Sequence, residues 1–195
     1  MTELLHALDA AVDRGADVTS LTDDIEALVE GDPEGSRIAV HAYTGREGSR
    51  LWALGLIGDP RDFDILAGGL DEPLLRFTAL QGLANQPDAD RVDAVVRPFL
   101  GDPDPKVRSK AAGVVAFLAR PGALASLLPL VEDPDPEVRM ILGWRLGGLG
   151  SPAAESALHV LLIDSDEQVR SFAARGLARL IRRHVATDGR TPHSS

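Results

Sequence analysis

The sequence predicts an all-α solenoid of about five helical hairpins. Three observations predict it. A seven-residue phrase, DPDPKVR at 102–108, returns as DPDPEVR at 133–139 and as DSDEQVR at 164–170, each 31 residues after the last. Apolar residues follow every copy at helical spacing. No stretch shows the period-two alternation of a half-buried strand.

Arg76, Arg108, Arg139 and Arg170 set the register, with separations of 32, 31 and 31 residues. Three and four positions later come Ala79/Leu80, Ala111/Ala112, Leu142/Gly143 and Ala173/Ala174. Leu83, Val115, Leu146 and Leu177 follow at the seventh position, and Leu118, Leu149 and Leu180 at the tenth. Such spacings draw one apolar stripe along a helix. A single hairpin cannot bury that stripe, so neighbouring hairpins must stack over a shared core.

Each phrase starts the second, or B, helix of its unit. Asp104 and Asp135 are placed as N-caps, and Pro105 and Pro136 take the first helical position, where a missing N–H costs nothing. Asp166 precedes Glu167 in the same way, and Glu72 precedes Pro73 as a weaker cap. Val107, Val138 and Val169 are expected to point inward, with Leu75 as their counterpart. Shorter A helices are predicted at 62–70, 92–101, 123–132 and 153–163, and B helices at 73–85, 105–120, 136–148 and 167–184. Links rich in Gly, Asp and Pro separate them, as at Gly58, Asp59 and Pro60.

The beginning is less regular. Residues 3–14 and 22–30 read as helices, and Asp32 with Pro33 opens another phrase that reaches Arg37. The helix after it is expected to be interrupted near Gly45 and Gly48. Residues 50–57 resemble the end of a B helix, with Trp52 at the place later held by Trp144. One solenoid over residues 1–184 is the predicted organisation, followed by a disordered tail, 185–195, that lacks a periodic face.

Composition narrows the chemistry. The chain has 195 residues, 44% hydrophobic, with no cysteine, which removes disulfides, thiol catalysis and Cys-ligated metals. A formal net charge of −10 disfavours nucleic acid and anionic membranes as partners. Neither a signal peptide nor an uncharged membrane-length run is visible, so a cytoplasmic protein is expected. The five histidines, His6, His41, His159, His184 and His193, form no HExxH pattern and no pair three or four apart. Neither a phosphate-binding loop nor a dinucleotide fingerprint appears. The pairs Asp102/Asp104 and Asp133/Asp135 are accounted for by capping and charge pairing. No catalytic residue, metal or cofactor is therefore assigned.

With its small residues and leucines, the DPDPKVR and DPDPEVR phrase resembles the HEAT-repeat family, closest to the short bacterial type labelled phycobilin-lyase-like. The likeness covers residues 71–184 well and 32–70 weakly. It implies a right-handed α-α superhelix whose B helices line the inner surface. It also implies a noncatalytic scaffold or adaptor that binds a protein or peptide. A bilin-lyase-like enzyme or lyase subunit, and a structural assembly protein, are the alternatives. Iron oxygenases on related scaffolds use His-Glu pairs, and this chain has no such dipeptide. Related DNA glycosylases conflict with the acidic charge.

The resemblance further implies a charge ladder within and between turns from Asp102, Arg108, Asp133, Arg139, Asp164 and Arg170. An arginine in the first helical turn opposes the helix dipole, so a carboxylate or a loop carbonyl must compensate it. In the pairs Asp32/Arg37 and Asp71/Arg76 the separation is five rather than six.

Function should lie where the repeats differ. Off the apolar stripe, the B helices carry Lys110, Gly113, Phe117 and Arg120, then Ile141, Trp144 and Gly148, then Phe172, Arg175, Arg179 and Arg182. Phe117, Ile141, Trp144 and Phe172 offer apolar area, and Arg175, Arg179 and Arg182 offer guanidinium groups. That mixture suits an acidic-hydrophobic peptide or protein surface. A packing reading stands beside it, in which Phe117 and Trp144 fill space next to Gly113, Gly143, Gly147 and Gly148 and Phe172 seals the last unit. Residues 167–195 carry six Arg against two acidic residues. The basic end is read as a solvated cap, a seat for an acidic partner, or a self-association surface.

Overall fold

The computed structural model describes residues 1–188, with side chains to Arg183. It divides into two compact units, residues 1–88 and residues 89 onward. Every regular element among the described residues is helical, and the helices pair as repeated hairpins.

In the first unit, α1 (Thr2–Asp13) and α2 (Thr19–Gly31) precede α3 (Pro33–His41) and α4 (Glu47–Ile57). Asp32 caps α3 by accepting from the Gly35 amide at 2.9 Å, with Pro33 in the first turn. Of the interruption predicted near Gly45 and Gly48, the part at Gly45 is present at 42–46, held by side chains, whereas Gly48 lies inside α4. Tyr43 is buried, and its hydroxyl donates to the Asp9 carboxylate of α1. Asp9 also accepts from the Arg46 amide at 2.9 Å and the Ser49 hydroxyl at 2.5 Å. Burial raises the Asp9 pKa, but the hydrogen bonds from Ser49, Tyr43 and Arg46 outweigh it and hold the carboxyl below its ordinary range. Burial and the Asp9 charge push the Tyr43 phenol up to about 12. A short 3₁₀ turn, Pro60–Asp62, then leads into α5 (Phe63–Gly68) and α6 (Arg76–Leu83).

The second unit contains α7 (Ala89–Val96), α8 (Pro105–Leu118), α9 (Ala123–Leu127), α10 (Pro136–Arg145), α11 (Pro152–Leu161) and α12 (Glu167–Asp188). Two predicted A helices are shorter than expected. Each changes to a 3₁₀ turn, Arg97–Gly101 and Leu128–Glu132, because Pro98 and Pro129 lack the N–H needed to continue an α-helix. B helices begin where the caps predict: Asp104 accepts from the Lys106 amide at 2.9 Å, Asp135 from Glu137 at 2.8 Å, and Asp166 from Gln168 at 2.8 Å. α12 continues past the predicted 184 to Asp188. The remainder of the predicted disordered tail, 189–195, lies outside the described residues.

The apolar stripe forms the core of this unit. Val107, Ala111, Val115, Val138, Leu142, Leu146, Val169, Ala173 and Leu180 are all buried, and α8, α10 and α12 pack side by side through them. Leu118, Leu149 and Leu177 of the stripe are half-buried, and Ala174 is exposed on α12. Backbones meet where side chains are absent. A Cβ on Gly147 would fall inside the carbonyl of Gly176, and one on Gly55 in the first unit would strike the Gly82 Cα. A Cβ on Gly148 meets nothing within 4 Å.

The predicted B helix 136–148 ends in a 3₁₀ turn, Leu146–Gly148, and Gly147→Ala is expected to destabilise the protein by about 1–3 kcal/mol, because this turn and α12 must separate. Gly148→Ala, with open space around it, should be neutral or stabilise by up to about 1 kcal/mol. Paired thermal melts of the two variants measure the contrast; equal losses would refute the close-approach account.

Candidate functional site

In α8 and α10 the first helical turn carries an arginine that bridges to the next hairpin. Arg108 donates from Nε and Nη2 to the two Asp133 carboxylate oxygens at 2.8 and 2.8 Å, and from Nη1 to the Asp102 carbonyl at 2.8 Å. Arg139 repeats this with Asp164 at 2.7 and 2.9 Å and with the Asp133 carbonyl at 2.7 Å. Arg170 donates to the Asp164 carbonyl at 2.7 Å. The aspartate six residues upstream thus contributes its carbonyl, and the carboxylate comes from 25 residues downstream. In the first unit Arg37 makes the same fork to Asp62, at 2.8 and 2.7 Å, while Asp32 serves as a cap. His41 joins Asp62 at 2.7 Å. Arg76 donates to the Leu70 carbonyl at 3.0 Å.

Each receiving carboxylate has a second task. Asp133 accepts from the Asp135 amide at 2.9 Å and Asp164 from the Asp166 amide at 2.8 Å, which fixes the turn before the cap. Burial raises the Asp133 pKa, but Arg108 and the Asp135 amide outweigh it and hold the carboxyl below its usual value. For Asp164 the Arg139 hydrogen bonds dominate burial, in the same direction. Both oxygens of each carboxylate are thus engaged by the fold, in an arginine fork and a loop amide bond.

The varying residues gather on α8, α10 and α12. Trp144 and Phe172 meet edge to face, ring centroids 5.9 Å apart and planes at 80°. The Arg179 guanidinium lies 4.4 Å from the Trp144 ring centre, and Arg175 lies 5.3 Å from the Phe172 ring. Arg179 also donates to the Trp144 carbonyl at 2.6 Å, and Arg183 donates to the Gly148 carbonyl. Trp144 is 37% exposed and Phe117 65% exposed. Ile141 is half-buried over Gly113, at an ordinary contact distance of 3.6 Å, and Arg182 is exposed. The glycines are filled by neighbouring backbone rather than by aromatics: Gly143 faces Ala173 and Gly147 faces Gly176. That leaves Trp144 and Phe172 at the surface as a braced aromatic pair.

Sequence reasoning passed over Arg145. It is half-buried at the end of α10, and its Nε is buried without a hydrogen-bond partner among the described residues. Its spacing of four from Ile141 was the available signal. Burial, with Arg179 nearby, pushes the Arg145 pKa below the usual arginine value, although the guanidinium stays charged. Burial and the Arg145 charge likewise hold the Lys110 ammonium below its ordinary range. Arg120 is engaged elsewhere, donating to Asp90 at 2.6 Å.

In the first unit Trp52 lines a cavity of about 100 Å³ with Glu26, Gly55, Gln81 and Asn85. Its relation to the close glycine matches Trp144: Trp52 stands three residues before Gly55, as Trp144 does before Gly147. Asn85 donates to the Gly55 carbonyl at 3.0 Å, as Arg179 does to Trp144. Among the described residues no cluster of three metal-ligating side chains is present, and no helix is long and apolar enough to cross a membrane.

Breaking one bridge tests its weight. Asp164→Asn should lower stability at pH 7 by about 2 kcal/mol, between the values for exposed and fully buried ion pairs. Because the folded carboxyl titrates below its unfolded value of about 3.9, its stabilisation is complete above that value and disappears as pH falls through the folded pKa. Stability curves of wild type and variant, measured by denaturant unfolding, should converge below about pH 4. A constant gap down to acid would contradict the bridge.

The sequence pattern of the family described as HEAT repeats matches residues 70–141 and 124–188. No curated protein matches the chain. Among solved structures, the crystal structure of an engineered protein, a Northeast Structural Genomics Consortium target, is 22% identical with a TM-score of 0.53. The match covers 93% of this chain and 88% of that one, and supports the fold alone. With repeated helical hairpins, no strand among the described residues, and a family match over more than half its length, this chain belongs to the HEAT-repeat family.

Proposed function

We propose that the chain is a noncatalytic binding module that captures an acidic-hydrophobic peptide or protein segment on the B-helix face of its second unit. HEAT-repeat folds suit protein and peptide interaction. The observation that carries the finer reading is the half-exposed Trp144, held by Phe172 at its edge and Arg179 over its ring. A tryptophan fixed before binding loses little conformational freedom on contact, and aromatic and arginine side chains dominate interface energetics. Phe117 and Ile141 extend the apolar area, and Arg175 and Arg182 supply exposed charge. The lyase reading draws only on the wording of the repeated phrase. Cytoplasmic residence and self-association through the basic α12 are compatible proposals.

Trp144→Ala combined with Arg175→Glu should weaken partner binding by about 30-fold or more, as loss of an interface hot spot does. Helical circular dichroism and cooperative melting should be retained. The partner is first identified by affinity purification and mass spectrometry, and its affinity is then measured by fluorescence titration. Unchanged affinity would remove this face from the function; collapse of the fold would assign Trp144 to packing.

A further inference from the structure

Among the described residues, no carboxylate fork like those of Arg108 and Arg139 explains the half-burial of Arg145. Arg108 and Arg139 each close a fork on an aspartate, Arg97 pairs with Asp93 at 2.5 Å, and Arg120 with Asp90 at 2.6 Å. Arg145 has its Nε sealed from water without any acceptor among the described residues. Two cations lie close to it, Arg179 from α12 and Lys110 from α8. Arg179 spends its own donors on the Trp144 ring and carbonyl, so it does not complete Arg145. A buried unpaired donor among like charges is destabilising, and a ligand that supplies an anion would relieve it.

We propose that Arg145, flanked by Lys110 and Arg179, is the seat for an aspartate or glutamate carboxylate of an extended acidic protein segment, whose neighbouring apolar side chain lies against Trp144 and Phe172. This rests on the binding face proposed above and names the chemistry at its centre. A guanidinium fork matches a carboxylate in shape, and the aromatic pair beside it asks for an apolar neighbour in the same ligand. Phosphates of a nucleic acid fit less well. A polyanion must approach a chain of net charge −10, and residues 89–195 hold 14 Lys and Arg against 13 Asp and Glu rather than a basic stripe.

The two lysines of the chain, Lys106 and Lys110, make a direct test. Lys106 is exposed and serves as an internal reference for half-buried Lys110. Both are reductively methylated with isotope-labelled formaldehyde, which keeps their charge, and titrated by NMR. The probe is a short peptide alternating leucine and glutamate, with its glutamine analogue and an oligothymidylate as comparisons. The glutamate peptide should raise the Lys110 titration midpoint and leave Lys106 unmoved. Its affinity should exceed that of the glutamine peptide by about tenfold or more, and Arg145→Gln should erase that preference. Arg145→Gln should also melt at the same or a higher temperature, since it removes a desolvated charge rather than a bond.

Equal affinity for the two peptides, no measurable binding of the glutamate peptide, an Arg145→Gln variant that keeps the preference, or tighter binding of the oligothymidylate would each overturn the carboxylate seat. Trp144→Ala separates the two levels. If it weakens both peptides while Arg145→Gln changes nothing, the face stands without the seat; if it weakens neither, the face itself falls.

Discussion

An arginine in the first turn of a helix sits at the end where the backbone already concentrates positive charge, and on its own it is misplaced. Here Arg108 and Arg139 stand in that place and Arg37 one residue further in, and each closes a two-pronged fork on a carboxylate 25 residues onward. Arg108 and Arg139 also bind the carbonyl six residues back, so each guanidinium ties the loop before its own helix to the loop of the next hairpin. The same aspartates then orient the following cap. Loop shape, helix start and hairpin spacing thus share one set of hydrogen bonds, and the 31-residue period follows from repeating it.

Given that spacing, the helices are held closely enough for backbone to touch backbone. Gly147 against Gly176 leaves no room for side chains between α12 and the 3₁₀ turn that ends α10. Trp144 and Phe172 have no cavity to enter at that crossing, so they are turned outward, where Arg179 and Arg175 lie over their rings. The exposed face is therefore a consequence of tight packing beneath it. The parallel relation of Trp52 to Gly55 in the first unit carries the same logic with Asn85 in place of an arginine.

Regular residues and variable residues divide the work. Arg108 and Arg139 of the repeated phrase are forked onto carboxylates by the fold, whereas Arg145 and Lys110 lie where burial disfavours their charge. Regularity in a solenoid marks stacking; departures from it mark the places where a ligand can act. Arg145 was hidden from a reading of repeats because it occupies a position that the other copies leave to different residue types.

By itself the sequence determined the helical class, the repeat length and the starts of the last three B helices, because caps, proline positions and the apolar stripe are local and periodic. The B helix predicted from Pro73 behind the weaker Glu72 cap begins only at Arg76. The sequence also placed the interruption near Gly45, since a broken pattern is as visible as an intact one. The change of two A helices to 3₁₀ segments at Pro98 and Pro129 was a local signal that the periodic reading overlooked. Only the tertiary structure decided which partner each arginine takes, because Asp102, six residues from Arg108, gives only its carbonyl, and the carboxylate of Asp133, 25 residues away, comes within reach only when the hairpins stack. The outward turn of Trp144 and the unpaired burial of Arg145 belong to the same category. Both depend on what packs across from a residue, and that neighbour lies tens of positions away along the chain.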